Sequence, residues 1–313
     1  MRVCGFRRAH RARTVGNVIT RERSDAMSAI PVFDAETFKR ATLGQWEKAA
    51  PGWNDHTPQI RAWLRTATDA MLAMAGIGQG ARVLDVAAGA GDQTLDIAQR
   101  VGPQGSVLAT DFSPAILAYA KTNAARAGHA NVETLAADAE QLEVEERSFD
   151  AAVCRLGLML CPDPLQALQR MHRAVKPGGR ICTMVFSTPD ANPCVAILMA
   201  TAREYAGIPA RDPFQPGSLF SLGKPGRIEE LFRSAGFSDV ATTKLSAPFG
   251  LPSAAAYLDF IRTSASPIQQ MLGSLDVTRQ AAAWSAMEQR LQKFAAPGGW
   301  EGPNELLLTA ARR

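Results

Sequence analysis

The stretch Val83-Leu84-Asp85-Val86-Ala87-Ala88-Gly89-Ala90-Gly91-Asp92-Gln93-Thr94 constrains this chain more than any other. An apolar strand closes on an acid, turns through small residues and opens a helix. That is the pattern of a ligand loop at the first βα turn of an open parallel sheet. Small residues let a ligand approach the backbone, and the helix start offers unpaired N–H groups. A dinucleotide loop wants an apolar residue before its glycines and a third glycine after them; here Asp85 closes the strand and Thr94 stands at the third position. The charge of Asp85 would repel a pyrophosphate and attract a ligand carrying an amine and a sulfonium. The loop therefore favours S-adenosylmethionine over NAD.

The 313 residues suit one α/β domain with appendages. The formal charge of +4 conceals an asymmetry: residues 1–26 hold seven arginines against Glu22 and Asp25, a local +5, which leaves −1 for the remainder. The rest of the chain thus lacks the basic excess of a nucleic-acid-binding surface. Residues 1–26 read as a disordered leader, as an Arg-rich transit peptide, or as a stretch upstream of a natural start at Met27; they lack the apolar region of a secretory signal. The five cysteines have no CxxC spacing and read as free thiols of a reducing, cytoplasmic compartment, and no metal site is expected. No apolar run reaches the ~18 residues of a membrane span.

Helices are expected over 27–76. Ile60, Trp63, Leu64, Ala67, Met71 and Met74 repeat at helical spacing and Gly76 ends the stripe. Ahead of them, Trp46, Trp53, Asn54 and His56 could form a lid over a ligand or cap the core. Strands then alternate with helices: Ala81–Val86, Val107–Thr110, Val132–Ala137, Phe149–Cys154, Arg180–Phe186, Val240–Leu245 and a terminal strand at 306–311. Ser113-Pro114 and Asp163-Pro164 are helix starts, and Lys176-Pro177-Gly178-Gly179 is a turn. The series implies a doubly wound, Rossmann-like seven-stranded sheet with the last strand antiparallel. Its ligand-binding core spans 77–187, and 225–251 with 301–313 complete the sheet. Residues 188–224 and 252–300 fall outside the alternation and read as insertions that cap a substrate pocket.

Three successive strands end in acids, Asp85, Asp111 and Asp138, at intervals of 26 and 27 residues. In a parallel sheet such ends share one edge. Asp111 lies 20 residues beyond Gly91, which suits a carboxylate accepting hydrogen bonds from ribose hydroxyls.

On VLDVAAGAGDQT, ATDFSPAILAYA, LAADAEQL, SFDAAVCRLGLML and VKPGGRI, the stretch 45–190 resembles class I S-adenosylmethionine-dependent methyltransferases. Within them it is most similar to the ubiquinone/menaquinone C-methyltransferase branch, whose loop also carries alanine at the position of Ala87. The resemblance implies that Asp85 holds the methionine amine, directly or through water, with Ala87, Gly89 and Gly91 as a backbone wall. It implies Asp111 on the ribose, Phe112 on the adenine face and Asp138 with Ala139 at the adenine amine. Arg155 and Leu156 would face cofactor and acceptor. One departure bears on the acceptor: quinone-methylating members often carry arginine and asparagine where this chain has Met159 and Leu160.

These readings converge on methyl transfer by in-line displacement to a small, partly apolar acceptor such as a quinone or phenol. His56 is the candidate general base and Arg155 the candidate cation for an acceptor anion. A non-catalytic cofactor-binding subunit is the alternative. Nucleic-acid methylation is disfavoured: Cys154-Arg155-Leu156-Gly157 stands where base-amine enzymes carry Asn/Asp-Pro-Pro-aromatic, and Cys161 precedes a proline instead of following one. The sequence leaves open whether the chain forms homo-oligomers.

Overall fold

The computed structural model describes residues 34–264 and 266–313; the leader expected over 1–26 and Cys4 lie outside them. Two helices come first, α1 (Ala35–Asp55) and α2 (Thr57–Met74). The stripe read from the sequence is the buried face of α2, where Ile60, Leu64, Ala67 and Met71 join the main core. Then follow β1 (Arg82–Val86), α3 (Asp92–Val101), β2 (Ser106–Asp111), α4 (Pro114–Arg126), β3 (Val132–Ala136), β4 (Phe149–Arg155), α5 (Pro164–Ala174) and β5 (Val175–Phe186). The two expected helix starts are real caps. Ser113 Oγ accepts from Ile116 N at 3.2 Å and Asp163 Oδ1 from Gln166 N at 3.1 Å, each with proline next.

After α6 (Pro193–Ala206) and α7 (Arg227–Ser234) comes β6 (Ser238–Ser246). The chain closes with β7 (Phe249–Leu251), α8 (Ala254–Ser264), α9 (Ser266–Leu272), α10 (Val277–Leu291), β8 (Ala295–Ala296), β9 (Gly299–Gly302) and β10 (Glu305–Arg312). Among the described residues seven strands form one sheet in the order β3-β2-β1-β4-β5-β10-β6. β1 pairs in parallel with β2 and β4, while β10 enters antiparallel between β5 and β6. Helices cover both faces, so β1 and β4 are apolar on both sides.

Two details differ from the sequence reading. The Lys176–Gly179 turn does not precede β5 but interrupts it: Phe149 pairs with Val175 and Ala151 with Arg180, so the extra residues bulge from one continuous ladder. The stretch 252–300, read as an insertion outside the strand–helix alternation, holds short strands as well as helices. Its end folds as a hairpin around Pro297-Gly298, and β9 pairs with both β8 and β7. This small sheet is held by Trp300, which stacks on Tyr257 at 4.8 Å and donates Nε1–H to Leu291 O at 2.8 Å. Strands of two to four residues are too short to show a period in sequence.

Candidate active site

The carboxyl ends of β1, β2, β3 and β4 share one edge, and a cavity opens there, where open α/β sheets bind ligands. Its floor is the β1 loop, Val86 to Gly89, with Asp92 and Gln93 from the first turn of α3. Asp111 and Phe112 line one side and Asp138, Ala139 and Glu140 the next. Arg155, Leu156, Leu158, Leu160, Cys161 and Pro162 give a largely apolar wall beyond β4. The roof comes from α1, with Phe38, Lys39, Thr42, Trp46 and Trp53. The two tryptophans meet edge to face at 5.4 Å, and both line the cavity.

The backbone of this wall is under tension. Ala87 and Leu156, both non-glycine, hold φ of +58°. Such residues cost about 1–3 kcal/mol each and persist where the surrounding structure fixes them. Gly157 brings the two loops together: a Cβ on it would lie 2.3 Å from Ala87 Cβ, so the β1 and β4 loops touch through the missing side chain. Gly91, expected as part of the cofactor wall, does not line the cavity. It caps α3 in the left-handed region at φ +86°, and a Cβ there would meet Ala120 at 2.9 Å. Its role is to let the loop lie against α4.

The three acids have different stations. Asp111 lines the cavity and braces the loop: Gly89 N donates to Oδ2 and Ser113 N to Oδ1, each at 2.9 Å. Each oxygen keeps a lone pair for a ligand hydroxyl. Burial pushes the Asp111 carboxyl up, and the backbone donors offset that only in part. Asp138 also lines the cavity, but its Oδ2 is 2.7 Å from Lys39 Nζ, which lies 2.6 Å from Glu140 Oε2 as well. Burial works against the ammonium of Lys39, yet its two carboxylate partners raise it above its ordinary range. Asp85 is 0% exposed and sits one layer beneath the cavity wall. Thr94 Oγ1 donates to its Oδ2 at 2.6 Å and Gln93 Nε2 to its Oδ1 at 3.2 Å. Burial pushes its carboxyl up to about 7 against those two donors and the nearby Arg155.

Arg155 is in the wall as expected, but its charge is engaged. Its Nη2 lies 2.5 Å from Asp92 Oδ2 and its Nη1 donates to Thr68 Oγ1 at 3.1 Å. His56 is not brought to the other expected site residues. It lies outside the cavity, with Nε2 2.8 Å from Thr263 Oγ1 and its ring edge-on to Phe260 at 5.1 Å. The cause is the close approach of α1 to α8: a Cβ on Gly52 would fall 2.2 Å from Thr263 O, which draws the start of α2 onto that helix. His56→Ala is therefore expected to leave cofactor affinity and turnover within about twofold, while costing about 1 kcal/mol of stability for the lost hydrogen bond and ring contact. Parallel melting and rate measurements check it; a turnover loss without a melting shift would return His56 to the chemistry.

The insertions 188–224 and 252–300 contribute no residue to the cavity wall. α1 takes that place, with α8 and α9 packed against it. Sequence reasoning missed Lys39 and Glu47. Glu47 Oε1 accepts from Ser113 Oγ at 2.5 Å and Ala115 N at 3.1 Å, which docks α1 on the start of α4. Neither residue carries a local motif; their partners are 99 and 66 positions away. Gln93 was also passed over, although a polar pair, Gln93-Thr94, one turn past a buried acid was a usable signal.

The four described cysteines are free thiols, three buried and Cys161 half-buried; burial pushes Cys154 and Cys182 up to about 12. Among the described residues no cluster of three His, Cys, Asp or Glu could hold a metal ion, and no helix is long and apolar enough to cross a membrane.

The cavity fits S-adenosylmethionine on its own geometry. It offers a braced carboxylate at the end of β2, an aromatic face in Phe112 and a carboxylate after β3. The sequence profile of the ubiE/COQ5 methyltransferase family matches residues 58–202. The ubiquinone/menaquinone biosynthesis C-methyltransferase UbiE of Hahella chejuensis is 36% identical over 137 residues, covering 44% of this chain and 53% of that one. The chain thus spans about half the length of the curated relatives it matches. Among solved structures, YcgJ of Bacillus subtilis superposes with a TM-score of 0.54 at 17% identity, over 80% of this chain and 98% of that one. The phosphoethanolamine N-methyltransferase 2 of Haemonchus contortus, solved with S-adenosylhomocysteine, gives 0.54 at 19%, over 90% and 61%. At such identities the two structures speak to the fold alone. Strand order, cavity and sequence match agree: residues 58–202, which with α1 build this site, are similar to the ubiE/COQ5 methyltransferase family.

Proposed function

We propose that the chain transfers a methyl group from S-adenosylmethionine to a small, partly apolar, ring-bearing acceptor. The observation that carries this reading is one continuous cavity, polar and acidic at the ends of β1 to β3 and apolar beyond β4. When bound, S-adenosylmethionine would supply an activated methyl group to an electron pair of the acceptor, the C–S bonding pair staying on sulfur and the acceptor giving up its proton. The chain's own contribution is to hold both reactants in line and exclude water, which is worth roughly 7–11 kcal/mol at best.

In this reading Asp111 takes the ribose hydroxyls, Phe112 packs on the adenine and Asp138 with Ala139 meets its edge. Ala87 and Gly89 let the ligand approach the loop backbone. Trp46 and Trp53 close over the site from α1, and Leu156, Leu158, Leu160 and Pro162 receive the acceptor. The sequence match to UbiE supports a quinone or phenol acceptor. The apolar Leu160 in the wall, and Met159 turned into the core with its carbonyl taken by Ser221 Oγ at 2.6 Å, favour one more apolar at that point than the family pattern.

The test is calorimetric titration of the full chain with S-adenosylmethionine, S-adenosylhomocysteine and NAD, then a screen of quinols, phenols and amines for methyl uptake. Binding of both adenosyl ligands without NAD, followed by methylation of a quinol or phenol, is the expected result. Binding of NAD alone, or of none of the three, would overturn the reading.

A further inference from the structure

Phe38, in the first turn of α1, lines the cavity together with the apolar wall residues Leu160, Cys161 and Pro162. Its neighbour Lys39 fixes this end of α1 through Asp138 and Glu140, and Glu140 Oε1 accepts from Asp163 N at 2.8 Å, next to Pro162. Phe38 is thereby held at the acceptor end, by the wall beyond β4. Behind its ring stands the loop between α6 and α7. Gly217 of that loop holds φ of +74°, and a Cβ built on it would lie 2.8 Å from Phe38 Cε1 and nearer still to Cζ, so the ring edge rests on bare backbone. Glycine suits the position on both counts. The loop has little room to yield. Phe220 and Leu222 are buried in the main core, where Phe220 meets Phe186 of β5 at 6.3 Å. A Cβ on Gly223 would run into the carbonyl of Ser187, so that backbone is packed as well. Ser221 Oγ donates to Met159 O at 2.6 Å, which ties the loop to the turn after β4 that carries Leu160. Successive turns, Ser218 N to Gln215 O at 3.2 Å and Ser221 N to Ser218 O at 3.0 Å, join Gly217 to those anchors.

We propose that the Phe38 ring limits the bulk of the acceptor, and that Gly217 is the positioning residue that sets how far the ring reaches into the cavity. The proposal deepens the acceptor reading above and rests on it. An aromatic ring whose back edge meets anchored backbone cannot retreat from a ligand, because packed interiors give way by little. It therefore acts as a stop and not as a flexible cover. Size selection in an apolar pocket is strong: one methylene is worth about 10- to 200-fold between substrates. The arrangement also gives the insertion 188–224 a task. It places no residue in the cavity wall, yet its loop sets the acceptor end from behind, through the Phe38 ring and through the turn that carries Leu160.

The test uses the full chain saturated with S-adenosylhomocysteine. The probes are hydroquinones bearing a methyl, butyl or octyl side chain, and their binding is followed by calorimetry. Phe38→Ala is expected to raise the affinity ratio of the octyl to the methyl compound at least about tenfold, with S-adenosylhomocysteine affinity unchanged within about twofold. Gly217→Ala, whose new methyl pushes the ring into the cavity, is expected to lower that ratio about tenfold in the native background and to leave it unchanged once Phe38 is alanine. Should Gly217→Ala fail to fold, Phe38→Leu takes its place, and its ratio is expected to fall between the native and Phe38→Ala values. A ratio that Phe38→Ala does not move would remove the ring from the acceptor site. A loss of S-adenosylhomocysteine affinity in Phe38→Ala would assign the ring to the cofactor instead. A Gly217→Ala effect that persists without the ring would overturn the role given to Gly217. A native chain that binds S-adenosylhomocysteine but none of the three hydroquinones would instead overturn the acceptor reading, and the proposal with it.

Discussion

Asp111→Ala is expected to weaken S-adenosylhomocysteine binding by at least about 100-fold while moving the melting temperature only a few degrees. The two effects separate because of what holds the carboxylate. Burial outweighs the N–H groups of Gly89 and Ser113 and raises the carboxyl above its ordinary range. A raised carboxyl is more readily ionised in the unfolded chain, so its contribution to stability falls as pH rises through the titration range and is unfavourable at neutral pH. Removing it relieves that cost, and the lost acceptor for two backbone donors offsets the relief. Binding has no such offset. Two ribose hydroxyls donating to one ionised carboxylate contribute about 1.5–3 kcal/mol each. Affinity by calorimetry and melting by circular dichroism on the same sample check both halves. An alanine variant that binds normally would show that the acid only braces the loop.

The sheet was legible because each parallel strand here is a short apolar run bounded by turn residues, and each helix start carries its own cap. The three strand-end acids were legible for the same reason, being in phase with the βα repeat. Depth was not legible. Asp85 and Asp111 both end strands flanked on either side, but the α3 turn folds Gln93 and Thr94 over Asp85. Gly91 looked like cavity wall because sequence records that a residue is small without recording which neighbour needs the space; Ala120 does. The roof was half legible. Tryptophans ahead of the sheet suggested a lid, but the ion pair from Lys39 to Asp138 and Glu140 joins positions far apart in the chain, and no local pattern announces it. The same long-range geometry turned the two later insertions away from the cavity. The helices of the second, α8 and α9, pack against α1, and it is α1 that supplies the roof of the cavity.

Arg155→Leu is expected to cost about 3–5 kcal/mol of stability, and Asp92→Asn in the same chain to restore most of it. In the native fold the pair is 5% and 2% exposed and closes at 2.5 Å, with Thr68 completing the guanidinium's bonds. Deleting the cation alone leaves a carboxylate buried without a partner, which is far costlier than the pair's net worth. The position of Asp92 at the start of α3 softens this, since the helix N-terminus favours a negative charge by about 0.3–1 kcal/mol. For a chain of this size each kcal/mol shifts the melting point by about 2–4 °C, so the single variant should melt roughly 10 °C low and the double variant near the native value. The cycle also decides what Arg155 does for the reaction. A guanidinium neutralised by Asp92 offers little net charge to an acceptor anion, so its proposed task is to hold the first turn of α3, and with it Gln93, against the end of β4. If so, the double variant should recover cofactor affinity together with stability. A double variant that is stable and binds cofactor, yet turns over at least about 100-fold more slowly, would place the Arg155 charge on the acceptor after all.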